Sequence, residues 1–337
     1  MDEVLKNLLN ADGPPGFESG VADVLEPYLK KSVSKVRRDG IGNLVATKEG
    51  SSGKSIALLA HMDEVSFMVQ HVSPDGFVKV VELGGWDNRI LPGMEVKILS
   101  QEPVYGVFAT KPPHITSESE RNQVLKLEDM SVDTGLSAQE LAAKGVETGT
   151  PIVPASEIRF NGETVSSKAL DDRVGCYILT RLADLLSSTR HTIHYVGTVQ
   201  EELGVRGARV VSNYLNVSEA LVLEATVAAD QPGVPEDRRP SGMGRGAVIT
   251  VMDKSMVANP SVYRALRNTA GEHGIPYQIK KPAFGGTDAG AVHLSASGIP
   301  CGVVSVPCRY IHSAHSYMSL KDIESVVKLV EAYVESL

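Results

Sequence analysis

Cysteine, long hydrophobic runs, excess positive charge and internal repeats are what this chain has little or nothing of, and each lack excludes something. Its 337 residues include three cysteines, Cys176, Cys301 and Cys308. An odd number of thiols in apolar surroundings suits reduced core cysteines and not a disulfide framework. No run of about eighteen apolar residues occurs, so no transmembrane helix is expected. A formal net charge of −8 argues against nucleic acid or an anionic membrane as the main partner. The opening MDEVLKNLLNADGPPG is acidic and amphipathic, without the basic and apolar regions of a signal peptide. A cytoplasmic location is the expectation.

What is present is ordinary for a folded protein with a real core: 42% hydrophobic and 22% charged residues. The length allows two domains, or one large domain carrying an insertion. SIALLAH (55–61) is a short, nearly continuous apolar run, as in a strand buried on both faces. Around DGIGN (39–43) the alternation indicates a hairpin. Between about 67 and 162 short alternating runs, FVKVVEL, EVKILS and VYGVFAT, are separated by turn residues. That texture predicts a small β-rich unit. After 163, helix-like and strand-like runs alternate up to a closing helix, LKDIESVVKLVEAYVESL. Such alternation predicts an α/β domain with a largely parallel sheet. The expected organisation is therefore a discontinuous α/β domain, 1–66 plus 163–337, interrupted by a β-rich insert, 67–162.

In open α/β sheets, sites form beyond the carboxyl ends of the strands, and there this sequence collects its polar residues. SIALLA leads into His61 and Asp63, TIHYVGTVQ into Glu201 and Glu202, EALVL into Glu224, and CGVVSVPCRYI into His312. Asp171 and Asp172 stand just before a helical run. Imidazoles and carboxylates without a thiolate suit zinc, cobalt or manganese in a catalytic site. One carboxylate can bridge two ions, the usual aminopeptidase arrangement. Asp63, two residues after His61, shares its face of an extended strand and could fix its tautomer. Glu201 and Glu202 would repel each other as a bare pair. Beside cations they make sense, with Glu202 as a ligand and its neighbour Glu201 as the base that takes a proton from water.

The segments AHMDEV (60–65), KALDDRVG (168–175), VQEELGVRGA (199–208), LEATVAAD (223–230), GGTDAG (285–290) and RYIHS (309–313) resemble, in order, the dinuclear-metal aminopeptidases of the glutamyl or tetrahedral (TET) aminopeptidase family. The resemblance extends to KPPH (111–114). It implies a phosphorylase-like α/β/α peptidase domain with an inserted β-barrel-like dimerisation domain. It places metal ligands at His61, Asp171, Glu202, Glu224 and His312, with Asp171 bridging and Glu201 as the base. It further implies two divalent ions per subunit, Zn2+ or Co2+, short peptides with a free N-terminus as substrates, and dimers assembling into a tetrahedral dodecamer.

Plainer readings compete at each position. Either histidine alone could be structural, Asp171 a helix cap, and the glutamate pair a solvated strand end. Asp288 and Thr287 in GGTDAG are read equally as caps or as groups near the substrate. His114 and His315 are candidates for substrate contact. Arg238, Arg239 and Arg245 could favour an acidic N-terminal residue if they line its pocket. The competing functions are a deacylase or carboxypeptidase-like metallohydrolase, a glycosidase using two acids, which leaves the histidines unexplained, and a non-catalytic assembly protein of the same fold.

Overall fold

The run SIALLAH forms the strand Ser55–His61 near the middle of an eight-stranded sheet. The computed structural model describes residues 2–281 and 285–337. Every residue of that strand from Ile56 onward is buried, because both faces are covered. Ile56, Leu58 and Ala60 enter one apolar core, and Ala57 and Leu59 enter another. The strands lie in the order Lys35–Arg38, Leu44–Lys48, Thr192–Thr198, Ser55–His61, Glu219–Val227, Cys301–Cys308, Ala247–Thr250 and Tyr277–Lys280.

The sheet is mixed, more so than the alternation of runs suggests. Its four central strands, from Thr192–Thr198 to Cys301–Cys308, are parallel. The hairpin 35–48 is antiparallel at one edge, where the Asp39–Asn43 turn reverses the chain. At the other edge Ala247–Thr250 runs against Cys301–Cys308, with Tyr277–Lys280 parallel to it. Helices Glu3–Asn10, Ser19–Lys30, Leu170–Leu185, Pro260–Glu272 and Leu320–Glu335 supply apolar faces to the larger core. The short helices Arg206–Val211 and Ala289–Val292 cover the opposite face. None of the described helices is long and apolar enough to cross a membrane.

Directly after His61 the chain leaves the sheet and builds a closed six-stranded barrel from Ser66–Val72, Val78–Leu83, Glu95–Ile98, Val104–Phe108, Val132–Asp133 and Pro151–Pro154. The alternating runs of this region put Phe67, Val80, Val96, Phe108 and Ile152 inside. Trp86 stacks on Phe67 with ring centroids 4.8 Å apart and donates its indole N–H to the Ser66 carbonyl at 3.1 Å. After the barrel, Arg159–Asn161 and Thr164–Ser167 join Ser316–Ser319 in a three-stranded sheet. That small sheet brings the segment before Asp171 next to the segment after His312.

Behind this junction lies a buried ion network. Lys168 Nζ donates to both Glu64 oxygens at 2.7 Å, and the fully buried Arg173 reaches Glu64 at 3.1 Å. Glu64 also accepts the Gly13 N–H at 3.1 Å. Each buried charge is paired and bonded, the condition under which such a network is tolerated. It locks the turns carrying His61 and Asp171 against the N-terminal helices.

Candidate active site

Parallel strands bring their carboxyl ends to one edge, and the candidate residues meet there. Glu224 sits level with His61 on the next strand, as Val222 pairs with Leu59. His61 Nε2 lies 3.1 Å from Asp171 Oδ1 and 3.3 Å from Glu224 Oε1. His312 Nε2 lies 3.3 Å from Asp171 Oδ2 and 3.1 Å from Glu202 Oε1. The two oxygens of Asp171 therefore divide between the two histidines. Ligand-type atoms of His61, Asp171 and Glu224 converge, as do those of Asp171, Glu202 and His312, and those of His61, Glu201 and Glu202.

The turns that present these groups are held in sparsely populated backbone conformations. Ala169, Gln200 and His312 have φ of 51°, 54° and 57°, each at a cost of about 1–3 kcal/mol. Nearby structure over-determines them. The loop after Thr192–Thr198 is pinched shut where Gly207 N–H meets the Val199 carbonyl at 2.9 Å. Asn43 closes the same neck, accepting from Val199 N–H and donating to the Gly207 carbonyl, each at 3.0 Å. A Cβ at residue 207 would sit 2.3 Å from Asn43 Oδ1, so glycine is required. The glycines behind the glutamate pair are thus part of what aims it.

Three consecutive N–H groups of that loop are gripped by carboxylates. Glu18 accepts from Gln200 N–H, and the two oxygens of Asp63 accept from Glu201 and Glu202 N–H, all at 3.0 Å. His61 Nδ1 is 3.2 Å from the Asp63 carbonyl oxygen and 3.5 Å from its carboxylate. Asp63 therefore orients the glutamate pair at least as directly as it orients the imidazole. Glu18, buried in the GPPGFE turn, carried no signal in the sequence as a member of the site. Asp172, beside Asp171 across a cis peptide bond, accepts from His61 N–H at 3.2 Å and from Gly175 N–H at 3.0 Å. The second acid is the helix cap, which leaves the first free to face the histidines.

Electrostatically the cluster holds more acid than its histidines can balance. Burial pushes Glu224 up to about 8, against the pull of His61, and raises Glu201 well above the usual carboxyl range. Asp171 goes the other way. Burial would raise it, but hydrogen bonds and charge from His312 and His61 hold it well below its ordinary value. Burial would depress both histidines. Instead Glu224, Asp171 and Asp63 raise His61 well above its usual value, and Asp171 and Glu202 push His312 up to about 11.

Comparison with known proteins gives this constellation its context. A profile for M42 glutamyl aminopeptidases matches residues 42–329. The chain belongs to that family. The enzyme is 32% identical over 339 residues to the putative aminopeptidase FrvX of Escherichia coli K12, covering 99% of this chain and 95% of that one. It superposes on the TET aminopeptidase of the marine sediment archaeon Thaumarchaeota archaeon SCGC AB-539-E09 with a TM-score of 0.96 and 34% identity, over 99% and 96% of the two chains. The TET1 peptidase of Pyrococcus horikoshii, described as assembling into a tetrahedron or an octahedral shell, gives 0.87 and 28%, over 99% of each chain. The enzyme is a hydrolase of the aminopeptidase class, and the fold anticipated from the motifs, an α/β peptidase domain with a barrel insert, is the one observed.

The remaining sequence candidates scatter. Asp288 is fully buried and takes a hydrogen bond from Thr198 Oγ1, level with His61. It makes no side-chain cap to the helix that follows. His114 lies exposed on the turn Pro113–Ile115, in a mostly exposed excursion of the barrel. His315, also exposed, lines a cavity of about 1120 Å3 between the barrel and the peptidase domain, together with Lys97, Tyr105, Arg159 and Tyr310. None of the clustered acids or histidines lines that cavity. Arg238 and Arg245 are exposed, and Arg239 donates to the Val234 carbonyl at 2.9 Å.

Proposed function

We propose that the enzyme removes N-terminal residues from short peptides with a free α-amino group, using two divalent ions held jointly at the strand ends. The observation that carries this reading is the split of Asp171, one oxygen toward each histidine. Imidazoles and carboxylates without a thiolate fit zinc or cobalt in a catalytic centre. Among the described residues, Glu202 Oε1 is buried without a hydrogen-bond partner, although His312 Nε2 is 3.1 Å away. That is the posture of two groups facing a third atom. His61, Asp171 and Glu224 would hold one ion, and Asp171, Glu202 and His312 the other. When bound, such ions acidify a water and polarise the peptide carbonyl.

The chain's own residues supply the rest. Glu201 is in neither of these two ligand sets, although it also faces His61 and Glu202, and burial raises its carboxyl so that it holds a proton readily. It takes the proton from the attacking water and delivers it to the leaving nitrogen. Asp63 and Glu18 fix the backbone of the loop, so Glu201 meets the substrate already aimed. The test is a peptide with a free N-terminus beside its acetylated counterpart. Only the free peptide should be cleaved, a chelator should abolish cleavage, and zinc or cobalt should restore it. Equal cleavage of the acetylated peptide would favour a deacylase, and chelator resistance would exclude the metal mechanism.

The acids also set a pH dependence. Glu224, His61 and His312 bind protons more tightly in the folded chelated protein than when unfolded. Their contribution to stability is therefore present at low pH and falls as pH rises, for Glu224 between its ordinary 4.5 and about 8. Metal needs the deprotonated ligands, so its benefit moves the opposite way. The gap in Tm between metal-loaded and chelated protein should widen from pH 5.5 to pH 8, read by differential scanning calorimetry. A constant gap would contradict these assignments.

The family likeness to a shell-forming peptidase supports self-association. In this reading the catalytic unit is 1–66 plus 163–337, and the barrel unit, 67–162, carries dimer contacts toward a tetrahedral dodecamer. The three buried free cysteines support a reducing, cytoplasmic setting.

A further inference from the structure

The antiparallel edge of the sheet ends where the loop of the glutamate pair begins. Gly197 pairs with Leu44, so the register sets Asn43 opposite Thr198, at the point where the chain leaves its strand. Asn43 is fully buried, and both ends of its amide are used. Oδ1 accepts from Val199 N–H at 3.0 Å, and Nδ2 donates to the Gly207 carbonyl at 3.0 Å and to Asp39 Oδ2 at 2.7 Å. Behind it, Asp39 braces the turn. Its Oδ1 accepts from the N–H groups of Ile41, Gly42 and Asn43 at 3.1, 3.0 and 2.9 Å, and its Oδ2 also takes the Tyr214 hydroxyl at 2.8 Å. The position therefore calls for a short neutral side chain with one acceptor and two donors, which among short side chains is asparagine.

Between these tied ends the loop holds a shape it would not keep alone. Gln200 and Val205 have φ of 54° and 53°, a left-handed conformation that neither side chain favours, the β-branched valine least. Such backbone persists only where the surroundings over-determine it. Glu18 and Asp63 hold the N–H groups of residues 200–202, all on the outgoing limb. Asn43 is bonded to the outgoing limb and to the returning one. We propose that Asn43 is a positioning residue for the reaction, and that the edge hairpin is a clasp that joins the two ends of the loop and so aims Glu201 and Glu202. What the loop does rests on the aminopeptidase reading, whereas the clasp stands on the hydrogen bonds alone. Asn43 acts through the backbone it ties. A misplacement of about 1 Å at a catalytic group costs about 100-fold in rate, so a neck free to open by that much forfeits the aim.

The test uses the full-length, metal-loaded enzyme, a panel of unblocked aminoacyl-p-nitroanilides, and amide hydrogen exchange read by mass spectrometry. Asn43→Ala should lower kcat by about 10–100-fold with little change in KM, and should speed exchange across 199–207 by about 10-fold, the worth of one net hydrogen bond. Asn43→Asp is the milder change, keeping the shape and the acceptor toward Val199 but not the donor toward Gly207. It should move both readouts the same way by less. Tyr333→Phe removes a hydrogen bond to Glu219, at the opposite end of the sheet. It should lower Tm and leave kcat and loop exchange as in the wild type. Near-wild-type kcat in both Asn43 variants would overturn the proposal, as would unchanged loop exchange. So would a loss of kcat in Tyr333→Phe that matches theirs for the same fall in Tm. A wild-type enzyme that turns over no unblocked substrate would remove the aminopeptidase reading, while faster loop exchange in Asn43→Ala would still uphold the clasp.

Discussion

Glu201→Gln should lower kcat by about 10²–10⁴-fold, the usual worth of a general acid–base group, while leaving the metal content of the enzyme intact. The amide keeps the shape of the side chain and removes its ability to take a proton. The backbone that carries it is gripped independently, through Asp63 at 3.0 Å to the N–H groups of residues 201 and 202. Glu202 should therefore keep its place when Glu201 changes. KM should move little, because the proton transfer is made only in the transition state. Steady-state kinetics and metal analysis of the same preparation check both halves. Turnover close to wild type would take Glu201 out of the chemistry, and loss of metal along with activity would make it a ligand instead.

Asp171→Ala should act differently, losing both ions and activity together. Its two oxygens lie 3.1 Å and 3.3 Å from the nitrogens of His61 and His312, one toward each histidine. In the proposed mechanism, loss of the ions that Asp171 would share between the two histidines would also remove the positive charge that stabilises the developing oxyanion. Loss of comparable electrostatic stabilisation elsewhere costs about 10²–10³-fold, and the deficit here should reach at least that. Added zinc or cobalt should not repair it. Retention of one ion with substantial activity would show that the bridge is dispensable.

The convergence of the candidate residues was largely legible because they sit where strands end. His61, Glu224 and His312 each close or follow an apolar run, and parallel pairing of those runs makes their convergence a geometric consequence. The glutamate pair was legible for the same reason, with glycines behind it that only a pinched loop requires. Asp63 was legible as a participant, but its hold on two backbone N–H groups depends on how one loop packs over another, which no spacing encodes. Glu18 was hidden because its partner, Gln200, is distant along the chain. The reversed edge of the sheet was hidden too. Short runs such as AVIT and YQIK carry no mark of direction, so the antiparallel pairing of Ala247–Thr250 with Cys301–Cys308 could not be read. The arginines of the 231–246 loop, candidates by charge alone, include two that are exposed, Arg238 and Arg245. The barrel, by contrast, announced itself through short alternating strands between turn residues.

The number of divalent ions bound per chain, counted by native mass spectrometry on the chelated enzyme after zinc or cobalt is restored, bears most directly on the joint grip of Asp171. Two per chain is the expected count, retained in Glu201→Gln and lost in Asp171→Ala. A fully active enzyme that binds a single ion per chain, or none, would contradict it.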